Sequence, residues 1–113
     1  MSTIFSKIIN KEIHADILFE NNKILAFRDI SPQAPVHFLV IPKKEIRTIN
    51  DINEEDKNLI GELFIIAKEI AKKEGISEKG YRTIFNCNEH GGQTVYHIHL
   101  HVLGGRQLEW PPG

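Results

Sequence analysis

The chain is short of cysteine, of long apolar runs and of charge excess, and each shortage removes a class of protein. Cys87 is the only cysteine among 113 residues, so no intrachain disulfide can form and a reducing, cytoplasmic setting is expected. No segment approaches the roughly 20 consecutive apolar residues that a membrane-spanning helix needs. The opening "MSTIFSKIINKEI" breaks its apolar residues with Ser, Lys and Asn, unlike the continuous core of a secretion signal. No membrane partner is expected. Lys and Arg number 14 against 15 Asp and Glu, a net charge of −1, with no basic run. A long nucleic acid, held through many phosphates, is therefore not an expected partner, whereas a single phosphate needs only a few donors. Repeats and low-complexity linkers are missing too, which predicts one domain over residues 1–113.

What is present is patterned apolar sequence. Ile4, Ile8 and Ile9 fall at helical spacing, with Ser2 or Thr3 available as a cap. "DILFE" (Asp16–Glu20) and "KILAFRD" (Lys23–Asp29) read as strands joined by a tight Asn21-Asn22 turn. The prolines of "ISPQAP" oppose both helix and central strand, so that stretch is a loop, and "HFLVIP" (His37–Pro42) is a buried strand. Leu59, Leu63, Ile66 and Ile70 form a helical stripe, widened by Ile60, Phe64, Ala67 and Ala71. Glu54, Glu55 and Asp56 are expected in its first turn, Lys72 and Lys73 in its last, and Gly75 as the residue that stops it. "YRTIFN" (Tyr81–Asn86) and "VYHIHLHVL" (Val95–Leu103) read as two further strands around a polar loop. The order predicts an α+β domain, an antiparallel sheet with its helices on one side.

Three histidines stand two apart in "YHIHLHVLGGR". On a strand, His97, His99 and His101 share one face, about 6.6–6.8 Å between neighbours, while Ile98, Leu100 and Val102 face the core. Packing alone has no use for three titratable groups in a row. One use is a zinc or other transition-metal centre, with His37 as a fourth ligand, although a closed four-histidine site is unusual for structural zinc. The other is attack on phosphorus, since a neutral imidazole is a good nucleophile and a protonated neighbour a good acid. Crowding raises the cost of charging every ring, so at least one stays neutral. The preceding "HGGQT" (His90–Thr94) offers backbone N–H groups, an amide and a hydroxyl suited to phosphate oxygens, which favours the second use.

"HIHLHVL" resembles the H-φ-H-φ-H-φ-φ signature (φ apolar) of the histidine triad, or HIT, superfamily. The likeness extends through "IFSKII", "AFRDISPQAPVHFLVIPKK", "GYR", "GGQTVYHIHLHVLGGRQ" and "WPPG", and is specific to the nucleotide-binding Hint branch. It implies a HIT-like fold, a five-stranded antiparallel sheet with two helices, in a homodimer with no cofactor and no metal. It also implies binding of purine nucleoside monophosphates and hydrolysis of phosphoramidates through a nucleotidyl-histidine.

Carried over residue by residue, the likeness makes His99 the nucleophile, with His97 and His101 flanking it for phosphate contact, orientation and charge. His37, which the residues alone present as an ordinary strand histidine, becomes an additional active-site histidine. Asp29 matches the ribose-binding acid; on its own it reads as a turn cap before Ser31-Pro32. Ile4, Phe5, Ile8, Phe27 and Ile30 resemble the lining of the base pocket, and Asn86, Gly92, Gln93 and Thr94 the phosphate loop. Thr94 stands where many relatives carry Ser and keeps the hydroxyl. Arg28, often His in relatives, carries no role over, and Trp110 resembles a residue that reaches the partner subunit's site. Two other readings stay open: a nucleotide-binding regulatory or scaffold protein with little catalysis, and a zinc-binding histidine cluster.

Overall fold

The computed structural model describes residues 3–113; Ser2, one of the two expected caps of the first helix, lies outside the described residues. Thr3 is the cap of α1 (Ile4–Ile9). Its hydroxyl accepts the Ser6 N–H at 3.2 Å, and the Ser6 hydroxyl oxygen accepts the Thr3 N–H at 2.7 Å. This reciprocal box stabilises a helix too short to persist by itself.

Two strands follow, β1 (Ile17–Glu20) and β2 (Ile24–Arg28), and the Asn21 carboxamide oxygen closes their turn by accepting the N–H groups of Lys23 and Ile24. β3 (Val36–Pro42) precedes two short 3₁₀ turns and α2 (Lys57–Lys73); β4 (Tyr81–Ile84) and β5 (Leu100–Gly104) complete the chain. The sheet runs β1-β2-β3-β5-β4 with every pair antiparallel, so the last strand inserts between β3 and β4.

Alternation along the central strands builds two cores. Ile24, Ala26, Phe38, Val40, Leu100 and Val102 meet Leu63, Ile66, Ala67, Ile70 and Ala71 of α2. Leu25, Phe27, Leu39 and Ile41 meet Phe5 and Ile8 of α1 on the other side. The helices thus cover opposite faces, not one. β2 and β3 are apolar at successive positions because both of their faces are buried, as in a strand between two layers.

Three other expectations change. Glu54–Asp56 form a 3₁₀ turn ahead of α2 instead of its first turn. The buried Asp56 carboxylate closes that turn on the Asn53 N–H at 2.9 Å and pairs with Lys44 at 2.6 Å. Phe64 is exposed, at the edge of the stripe, with its ring against Phe85. The last strand starts at Leu100, not Val95. Continuing the β3–β5 register would put Ile98 opposite Pro42, which has no N–H, and the Ile98 N–H bonds the Ile46 carbonyl instead. The expected stop is present: α2 ends at Lys73 and Gly75 has φ +78°. Among the described residues no helix is long and apolar enough to cross a membrane.

Candidate active site

His37 on β3 and His101 on β5 belong to the sheet face that α1 covers only in part. His101 lies opposite Leu39 and His37 opposite Leu103, so the two imidazoles are diagonal neighbours. Their nitrogens meet at 2.9 Å, His37 Nε2 to His101 Nδ1. His97 and His99 belong to the bent, irregular segment leading into β5, and both are buried.

The partners of each ring decide where its proton sits. The Gln33 N–H donates to His37 Nδ1 at 3.0 Å, so neutral His37 carries its proton on Nε2. Nε2 then donates to His101 Nδ1, which leaves the His101 proton on Nε2. His99 Nδ1 donates to the His97 carbonyl at 2.8 Å, leaving His99 Nε2 a bare lone pair. His97 Nε2 donates to the Pro42 carbonyl at 2.7 Å, while its Nδ1 has no partner among the described residues. The four rings are therefore unequal: a chain of donors ends on His101, a free lone pair is held on His99, and His97 is an anchor.

Burial keeps them neutral. Desolvation lowers the proton affinity of His97, His99 and His37, and Asp29 pulls the other way on His99 and His37. For His101 desolvation comes first, the neighbouring His99 and His37 add to it, and its pKa falls to about 4. An unprotonated His99 at neutral pH is the state in which Nε2 attacks an electrophile.

His99 and His101 line a cavity of about 230 Å³. Ile4, Phe5, Ile8, Phe27 and Ile30 give it apolar walls, and Asp29, Asn86, Gly92 and Thr94 line it too. Phe5 stands edge-on to His99 with ring centroids 4.9 Å apart, a packing that fixes the imidazole plane. The two loop glycines have separate reasons. A Cβ on Gly91 would collide with the Cys87 backbone, and Gly92 has φ +77°. The Asn86 amide donates to the Gly91 carbonyl at 2.6 Å and braces the same loop. Among the described residues neither the Thr94 hydroxyl nor its N–H is engaged within the chain.

Four expected site residues do not line the cavity, and one of them, His37, is joined to it through its bond to His101. Gln93 is buried and off the cavity; its amide donates to the Arg47 and Val95 carbonyls at 2.7 and 3.1 Å, and its oxygen accepts the Asn88 N–H at 2.9 Å. With both amide protons used, it pins the loop and has none left for a phosphate oxygen. His97 does not line the cavity either; it orients His99 through its own carbonyl. Trp110 is 80% exposed near the Arg82 guanidinium, away from this chain's cavity. Ile13, His14, Ala15, Leu39 and Val95 also line the cavity. Leu39 had a signal, alternation with His37 on β3, whereas the segment after α1 has no periodicity that announces a wall.

Asp29, His37 and His101 offer atoms within 4.8 Å of one another, a spacing that suits a metal ion. The donor set fits poorly. Ligation through His37 Nε2 requires removing its proton, and the Nδ1 that would then carry it faces the Gln33 N–H.

The HIT domain model matches residues 10–108. Over 106 residues, 94% of this chain and 89% of the relative, the chain is 56% identical to the purine nucleoside phosphoramidase of Escherichia coli K12. It is also 56% identical, over 98% of its length and 96% of the relative's, to an uncharacterized HIT-like protein of Synechococcus elongatus. A crystal structure of a HIT family hydrolase from Legionella pneumophila superposes with a TM-score of 0.97 at 59% identity, covering 99% of this chain and 100% of that one. A histidine triad protein from Clostridium difficile gives 0.92 at 39% identity, covering 96% and 95%. With a family model spanning most of its length and relatives of 56% identity covering nearly all of it, the chain belongs to the HIT domain family.

Proposed function

We propose that the protein is a purine nucleoside phosphoramidase that passes through a nucleotidyl-histidine. The observation that carries this reading is the bare Nε2 of His99, fixed by its Nδ1 bond to the His97 carbonyl on a ring that lines the cavity. The apolar walls suit a purine, and Asp29 suits the two ribose hydroxyls, since a carboxylate accepts from both. Thr94 and the loop beside it face the phosphate.

In the first displacement His99 Nε2 forms a bond to the α-phosphorus as the phosphorus–nitrogen bond of the substrate breaks. The departing nitrogen takes the electron pair and receives the Nε2 proton of His101 from a His37–His101 pair that carries one extra proton while the anionic phosphate is bound, so that the pair is left neutral. In the second, water attacks the same phosphorus, gives its proton back to the histidine pair, and His99 leaves. The products are a nucleoside monophosphate and an amine. Donors aimed at the phosphoryl oxygens, Thr94 among them, stabilise the charge that develops.

The homodimer belongs to the same proposal. Among the described residues the outer edge of β4 is unpaired, Phe64 and Ile65 of α2 are 42% and 52% exposed, and Trp110 is exposed where it can reach a second copy. A cytoplasmic setting belongs to the same proposal, supported by a sequence whose single cysteine, Cys87, can form no intrachain disulfide.

Turnover of an adenosine 5′-phosphoramidate is the test. His99→Ala is expected to lower it by roughly 10⁴-fold or more while nucleoside monophosphate binding persists. Full turnover in that variant would remove His99 as nucleophile. A wild-type rate far below ordinary enzymes would favour a binding role.

A further inference from the structure

The Asp29 carboxylate does not face the cavity alone. Its Oδ1 accepts the Ser31 N–H at 2.8 Å, and its Oδ2 lies 3.4 Å from His37 Nε2, the nitrogen that bonds His101. The His37 side chain is 4% exposed and that of Asp29 19%, so little water screens the pair. We infer that Asp29 is a positioning residue for catalysis as well as a sugar ligand: its charge holds the proton of the His37–His101 pair, and sugar hydroxyls bound to it adjust that hold. The inference rests on the phosphoramidase reading above and adds to it a link between sugar recognition and proton delivery.

The groups around the pair support this. β3 supplies His37 and β5 supplies His101, while His99 stands 4.9 Å from His101 between ring centroids. β4 contributes Ile84 opposite His101, and α1 contributes Phe5, neither of them titratable. Asp29 is the anionic side chain that acts on His37, His99 and His101 alike, whereas Glu45 acts on His97. When His101 gives its proton to the departing nitrogen, the pair draws on a proton that Asp29 stabilises. Ribose hydroxyls donating to the carboxylate spread its charge and loosen that proton, which makes the pair a stronger acid. A carboxylate that served the sugar alone would have no need to lie beside the histidine relay.

The test uses a substrate without the hydroxyls. For a 2′,3′-dideoxyadenosine 5′-phosphoramidate, Asp29→Asn is expected to lower kcat roughly tenfold and move the alkaline limb of kcat about one pH unit lower. A sugar-only role predicts a raised KM on the ribonucleotide and no change on the dideoxy substrate; that outcome overturns the inference. A second measurement needs no variant. In the wild-type protein the alkaline limb should lie at higher pH for the dideoxy substrate than for the ribonucleotide, and coincident limbs overturn the link. Should the wild type turn over neither substrate, the phosphoramidase reading falls by itself. Imidazole nitrogen shifts of His37 and His101, titrated without ligand, then decide: lower midpoints in folded Asp29→Asn support the hold, and identical ones end it.

Discussion

The two faces of the sheet are made by the same strands and are chemically unlike. Against α2 the even-numbered residues of β3 and β5 include Phe38, Val40, Leu100 and Val102, fully or almost fully buried beneath a 17-residue helix. Against α1 the odd-numbered residues of β3 and β5 include His37, Leu39 and His101, beneath a helix of six residues that buries only Phe5 and Ile8. The short helix leaves room for a cavity, and the polar rings there cost stability that the other face supplies. Alternation along one strand thus separates what holds the protein together from what it does.

Truncating a phenylalanine on each face is the strongest way to break this contrast. Phe38→Ala empties a site with no solvent access and is expected to lower the unfolding free energy by about 3–5 kcal/mol in urea denaturation. Molecules that remain folded should keep their turnover. Phe5→Ala borders the cavity, so it should destabilise less, yet lower turnover roughly tenfold because His99 loses its edge contact. Equal losses of stability and turnover in both variants would dissolve the division.

Acid separates the faces next. The four histidines have lowered proton affinity when folded, so the unfolded chain binds protons first as pH falls below the ordinary value of 6.5. Stability therefore declines as pH drops through that value, and the His101 share, roughly 3 kcal/mol, is gone near its folded pKa of about 4. On the α2 side Asp56, held down chiefly by its hydrogen bond from Lys44, is stabilising above its ordinary 3.8 and loses that contribution only at lower pH. Urea titrations across this range check the order. His101→Asn should flatten the upper window and leave the lower one in place.

These contrasts also mark how far sequence patterns reached. The α2 stripe, the β3 strand and the sharing of one face by His99 and His101 were legible because a helix repeats every 3.6 residues and a strand every two. The opposite placement of the helices was not, because β3, apolar at successive positions, carries no sign of which helix lies on which side. Residues from Val95 to His99 alternate like a strand, but Pro42 on the neighbouring strand denies them a ladder, a tertiary fact. The site residues came from family resemblance more than from pattern. The structure then separated cavity-lining Asp29 and Thr94 from Gln93, whose donors are all used by backbone carbonyls.

Gln93 allows an intermediate test, since it belongs to the chemical face without touching the cavity. Gln93→Ala removes three buried hydrogen bonds to backbone groups and should cost about 1–3 kcal/mol. Its effect on turnover is expected in kcat, through a loosened loop, with nucleotide affinity little changed. A loss confined to affinity would mean that the side chain leaves the loop to bind phosphate.

The smallest expected effect gives the contrast its sharpest form, because it compares adjacent residues. Arg28 borders the cavity just before Asp29, but its guanidinium is turned to the α2 side. There it holds both oxygens of Glu74, the residue that caps α2, at 2.6 and 3.0 Å, and Asp16 at 3.2 Å. Its side chain is 40% exposed, so Arg28→Ala should cost at most about 1 kcal/mol, less at high salt. Turnover should stay within about twofold of wild type, while Asp29→Asn, one residue along, lowers it severely. Proximity to the cavity cannot produce that difference; the alternation that sends neighbouring side chains to opposite faces can. If Arg28→Ala instead lowers turnover as far as Asp29→Asn does, the faces share their chemistry through the end of β2.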